Sequence, residues 1–142
     1  MSKKSPKIAG LIARHEGALL PAHYLGYFDC FNEGLYYEAH EVLEELWLAR
    51  GRAAFNYAFY KGLIQLAGAF VHLQKDRLRP AVALFKLAEA NLQLYPAEHD
   101  AFDVAAALAL IRHWRGMVEG AAYLVNPLRQ TPAPRLTTPV AG

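Results

Sequence analysis

Phe31-Asn-Glu-Gly-Leu-Tyr-Tyr-Glu-Ala-His-Glu-Val-Leu-Glu-Glu-Leu-Trp47 opens on a helix stop and continues as a helix. Asn32-Glu33-Gly34 carries the turn chemistry that ends one helix. A second then runs from about Leu35 to Ala49 and stops near Gly51. At ~100° per residue, Tyr36, Ala39, Leu43, Leu46 and Trp47 share one side and form a core stripe. Glu38, Glu41 and Glu45 fall opposite, where solvated carboxylates belong.

His40 and Glu44 belong to neither side. Four residues apart, they stack on one face, and His40 projects within about 20° of Trp47 around the axis. A carboxylate and an imidazole at the edge of a core are partly desolvated and need partners, because an unpaired buried charge is costly.

Working outward, the chain reads as five helices. Pro21 opens the first, with Tyr24, Leu25, Phe28 and Phe31 at helical spacing. The third, about Ala53 to Gln74, is apolar on nearly every side through Phe55, Phe59, Leu63, Ile64, Leu66, Phe70, Val71 and Leu73. Such a helix is the buried, central one. Pro80 starts a fourth, Ala81–Leu94, with Val82, Phe85, Ala88 and Leu92 inward. Asp100 or Asp103 starts a fifth through Val104, Leu108, Ile111 and Trp114, fading near Gly116–Gly120. The expected fold is all-α: one compact bundle of about five helices around a central apolar helix. Residues 1–20 read as an N-terminal arm and 21–126 as the helical domain. Residues 127–142 read as a poorly ordered tail, because Pro127, Pro132, Pro134 and Pro139 break any regular element.

The third helix has one polar stripe, Lys61, Gln65, Gly68 and His72. Turned toward the second helix, it would bring Gln65 and His72 to His40 and Glu44. His40, Glu44 and His72 would then be two imidazoles and a carboxylate, a set suited to one divalent metal ion such as zinc. Tyr37, Trp47 and Gln65 complete the candidate ligand site beside His40 and Glu44. The structural alternative is equally concrete. An i,i+4 His–Glu pair on a helix surface is worth a few tenths of a kcal/mol, and the stripe is then an exposed face. No second histidine follows at four residues, so the zincin pattern HExxH is absent.

These residues resemble the domain-of-unknown-function 309 family, whose members share an HxxxExxW/Y pattern, here His40, Glu44 and Trp47. Phe31-Asn32-x-Gly34-x-Tyr36-x-Glu38-Ala39 and Lys61-Gly62-Leu63-Ile64-Gln65 resemble it too, and the likeness spans about Tyr24 to Leu94. It implies a compact all-helical fold and a role for the His–Glu pair, with metal binding the usual suggestion. It implies no reaction or substrate.

Composition bounds the rest. A formal net charge of +2 with interspersed signs leaves no nucleic-acid footprint beyond a small spot at Arg112, His113, Trp114 and Arg115. Cys30 is the single cysteine, so no internal disulfide and no Cys-based zinc site can form; it reads as a small buried hydrophobe. Lys3, Lys4 and Lys7 precede only the short apolar run Ile8–Ile12, which is neither a signal peptide nor a span, so the expectation is a cytoplasmic protein with no membrane partner. Phosphate-binding loops and nucleophile turns are missing, so oxidoreductase, kinase and serine-hydrolase readings drop out. The alternative function is a helical interaction module that binds a small helical or peptide partner, or a second copy of the chain as a homo-oligomer, with His40 and Glu44 structural. No 34-residue period supports a repeat array.

Overall fold

The computed structural model describes residues 20–139, and the N-terminal arm expected over 1–20 falls almost wholly outside them. Five helices follow in chain order among the described residues: α1 (Ala22–Asn32), α2 (Tyr36–Arg50), α3 (Tyr57–Gln74), α4 (Leu78–Leu92) and α5 (Val104–Gly120). The expected all-α bundle is what the chain forms. No described helix is long and apolar enough to cross a membrane.

Helix ends follow the local chemistry. Gly34 takes φ +76°, open to glycine at little cost, and lets the Leu35 N–H return to the Cys30 carbonyl, closing α1. Gly51 follows α2 at φ +79°, its own N–H donating to the Trp47 carbonyl at 3.1 Å. The Asp103 carboxylate accepts from the Ala106 N–H at 2.9 Å and caps α5. Pro80 lies in the first turn of α4, where its missing N–H costs nothing.

Consecutive helices pack side by side: α1 on α2, α2 on α3, α3 on α4 and α4 on α5. The core converges on α3. The Phe70 ring meets Phe31 of α1 at 5.5 Å, Tyr36 of α2 at 5.1 Å, Phe85 of α4 at 5.4 Å and Trp114 of α5 at 5.1 Å. One fully buried side chain thus ties all four other helices to α3. Cys30 is fully buried, as a small hydrophobe would be.

Three differences from the sequence reading concern its boundaries. First, α3 begins at Tyr57 rather than Ala53. Residues 51–56 are turns closed by Ala54 N–H to Gly51 and Tyr57 N–H to Ala54, and Phe55, expected in the core, is 79% exposed. Second, a two-stranded hairpin, β1 (Glu98–His99) and β2 (Phe102–Asp103), joins α4 to α5, and α5 continues through Gly116 to Gly120 instead of fading. Third, the proline-rich segment, described through 139 and mostly exposed, is anchored at Pro127 and Leu136. It forms one 3-10 turn, Pro127–Arg129, and then runs to the end of α1, where Leu136 is buried. Asn32 exchanges two hydrogen bonds with the Leu136 backbone at 2.8 and 2.7 Å. Asn126, itself buried, donates to the Leu73 carbonyl at 2.6 Å and to Asp76 at 2.8 Å. Prolines forbid a regular element there, but side-chain hydrogen bonds from the helix ends replace the ladder.

Candidate functional site

Helices α2 and α3 run antiparallel, and three contacts give their register. At one end the Gln74 side chain donates to the Gly34 carbonyl at 3.0 Å. Tyr36 stacks on Phe70 nearby, and at the far end Trp47 lies against Tyr57 at 5.1 Å. His40, between these contacts, therefore faces the middle of α3.

That placement opens a cleft of about 300 Å³ bounded by Tyr37 and His40 of α2, Gln65, Gly68 and His72 of α3, and Leu84 of α4. Ile64 and Val71 extend its apolar wall. The polar stripe of α3 does turn toward α2, and three of its four members reach the cleft. Lys61 does not: its ammonium lies over the Tyr57 ring at 5.8 Å. Gly68 sits where a Cβ would come within 3.0 Å of the Leu84 side chain, so the missing side chain lets α4 close the cleft.

His40 and Glu44 form the expected pair, with Nε2 and Oε2 3.4 Å apart and about a third of each side chain exposed. A carboxylate accepts only, so it favours the tautomer with the proton on Nε2 and leaves Nδ1 of a neutral ring as an acceptor. Tyr37 is half exposed and its ring is tilted over the His40 ring at 6.0 Å. The Gln65 carbonyl oxygen accepts from Asn91 at 2.7 Å, which fixes the amide and leaves its NH2 as the end that can donate. Burial, with Arg77 and Lys75 adding to it, lowers the His72 pKa, so this ring favours its neutral form.

Buried polar groups are nearly always hydrogen-bonded. Four buried side-chain atoms here find no partner among the described residues: Tyr36 Oη, His40 Nδ1, Trp47 Nε1 and His72 Nδ1. Three of them come from the α2 face that meets α3, and the fourth from the facing stripe of α3. Desolvation pushes the Tyr36 hydroxyl pKa up, so it stays protonated.

Two sequence expectations do not meet in this cleft. Glu44 touches His40 but is not part of the cleft wall, and Trp47 packs on Tyr57 instead. No group of three or more His, Cys, Asp or Glu side chains among the described residues is placed to hold a metal ion, so His40, Glu44 and His72 are not drawn together as a ligand set. Among the described residues, the expected divalent-ion site is therefore not assembled. The basic spot at Arg112 and Arg115 is paired with carboxylates: both reach Glu89, and Arg115 also holds Glu119 at 3.0 Å. Leu84 was missed as a site residue because nothing in the spacing of α4 says which helix its stripe will cover.

Residues 24–93 match the family model described as Domain of unknown function (DUF309). The chain carries a domain of this family. The match begins in α1 and ends just past α4, so the domain-of-unknown-function 309 region contains every residue of the cleft. No curated protein and no solved structure matches the chain.

Proposed function

We propose that the α2–α3 cleft is a binding site for a small, planar, uncharged organic molecule carrying hydrogen-bonding groups, anchored by His40. One observation carries the reading: imidazoles from two facing helices, together with the Gln65 amide, border one largely apolar cavity. Ile64, Val71 and Leu84 supply the apolar wall that such ligands bury, and Tyr37 supplies a ring to stack on. Gln65 and the two imidazoles supply the few oriented polar groups that give specificity. Glu44 acts through His40, setting its tautomer and ring orientation as a carboxylate does for a working imidazole.

The test is ligand-observed NMR with indole, benzimidazole and 2-pyridone on the full chain and on His40→Ala and His72→Phe variants. Saturation transfer to at least one compound, reduced in both folded variants, is the expected result. No transfer to any compound, or transfer unchanged in both variants, would overturn the reading. The competing interaction-module reading draws on six exposed large apolar side chains, Tyr37, Leu48, Phe55, Leu87, Leu94 and Leu124, of which Tyr37 alone lines the cleft.

A further inference from the structure

A second cavity, of about 270 Å³, lies where the end of α2, the 51–56 turns and the β1–β2 hairpin meet. Its walls include Arg50, Phe55, Asn56, Tyr60, His99 and Asp100. Asn56 organises it. Its amide nitrogen donates to the Asp100 carboxylate at 2.6 Å and to the Tyr60 hydroxyl at 3.3 Å, while its oxygen meets His99 Nε2 at 2.7 Å. An amide oxygen only accepts, so His99 carries its proton on Nε2. The His99 ring is fixed a second time by aromatic neighbours, with Phe59 at 4.7 Å, Tyr95 at 4.9 Å and Phe55 at 5.7 Å.

The backbone supporting Asp100 is strained. Asp100 and Ala101 form the two-residue turn between the strands, and both lie in the left-handed region at φ 49° and 58°. A residue with a Cβ pays roughly 1–2 kcal/mol there, and a turn of this kind ordinarily takes Asn-Gly or Asp-Gly. The conformation is held from outside the hairpin, by Asn56 on the side chain and by the Tyr24 hydroxyl donating to the Asp100 carbonyl at 3.1 Å. The result is a carboxylate set in place on one wall. Arg50, in the last turn of α2, brings a cation to the same cavity, and no ion pair joins it to Asp100 or to any other carboxylate among the described residues.

We infer that this cavity binds a small zwitterion of the amino-acid type, its carboxylate against Arg50 and its ammonium against Asp100 and the exposed face of Phe55. A guanidinium is suited to a carboxylate, and an ammonium gains from both a carboxylate and an aromatic face. The volume admits an amino acid with a short side chain. None of these wall residues belongs to the α2–α3 cleft, so the two sites stand or fall separately.

The test is a two-dimensional NMR titration of the full chain with L-alanine and glycine betaine, with acetate and ethylammonium as single-charge controls. Arg50→Gln and Asp100→Asn are run in parallel; asparagine tolerates the left-handed region, so the turn survives. The zwitterions are expected to shift the Asn56 side-chain amide and the His99 ring saturably, with affinity falling about tenfold or more in each variant. Acetate and ethylammonium are expected to bind at least about tenfold more weakly than L-alanine. No saturable shift from either zwitterion up to ~10 mM, or binding unchanged in Arg50→Gln, would overturn the inference. Acetate binding as well as L-alanine would overturn it too, and would mark a plain anion site. Should Asp100→Asn lose its fold, the surface variant Arg50→Gln decides.

Discussion

His72 is buried enough to disfavour its charged form, and two cations follow it at Lys75 and Arg77. An unfolded histidine takes its proton near pH 6.5. The folded chain binds that proton more weakly, so the unfolded state gains protons first as the pH falls. The stability contributed by neutral His72 is therefore complete above about pH 6.5 and is lost as the pH drops through the window below it. Thermal melts at about pH 7.5 and about pH 5.5 should show a smaller acid-induced drop for His72→Phe than for the parent. An equal drop would remove His72 as the source. Tyr27 offers a second check: its fully buried hydroxyl donates to the Leu63 carbonyl at 2.6 Å, joining α1 to the middle of α3. Tyr27→Phe should cost about 0.5–1.5 kcal/mol by chemical denaturation, the usual worth of one such bond. His40, Gln65 and His72 were legible as a group because helical spacing puts each on a defined face. Trp47 was not, although it projects close to His40. Seven residues separate them, about 10 Å along the axis, and that distance carries the indole to Tyr57.

Helices α3 and α4 approach closely at Gly62, where a Cβ would stand 2.9 Å from Leu92 Cγ and 3.2 Å from Asn91 Cβ. Gly62→Ala gains up to ~1 kcal/mol of helix propensity. The overlap with two packed side chains outweighs it, and a net loss of about 1–3 kcal/mol is expected from denaturant midpoints. Because Asn91 holds the Gln65 amide, the same change should also disturb the cleft. The helices themselves were readable from apolar spacing, since Tyr36, Ala39, Leu43 and Leu46, or Val82, Phe85, Ala88 and Leu92, repeat with the helical period. The pieces between them were not. An apolar Phe55 in a turn looks like a helix residue, and an Asp-Ala turn with two positive φ angles lacks the glycine that would announce a hairpin.

The C-terminal segment ties the C-terminal ends of α1 and α3 together. Arg129 reaches Asp76 at 3.0 Å and the Gln74 carbonyl at 2.9 Å, Asn126 holds the same α3–α4 corner, and Leu136 is moored to Asn32 at the end of α1. Proline content told against a helix or strand there; it could not reveal side-chain bonds made across the chain by Asn32 and Asn126. Asn126→Ala removes two donated bonds from a buried amide and should cost about 1–3 kcal/mol, read as a lowered melting temperature. The Arg129 and Asn126 bonds hold the Asp76 carboxyl below the usual carboxylate range, so its contribution is complete above that range and is lost as the pH falls through its lowered pKa. All of this packing serves one arrangement, α2 held antiparallel to α3 with His40 and His72 on either side of a cleft. The most direct measurement is histidine-selective ¹⁵N NMR of the full chain during titration with indole, benzimidazole and 2-pyridone in turn, read for the compound that binds. The account predicts saturable shifts of the ring nitrogens of both His40 and His72, His99 staying fixed. Rings of His40 and His72 that do not respond, or that move no more than His99, would contradict it.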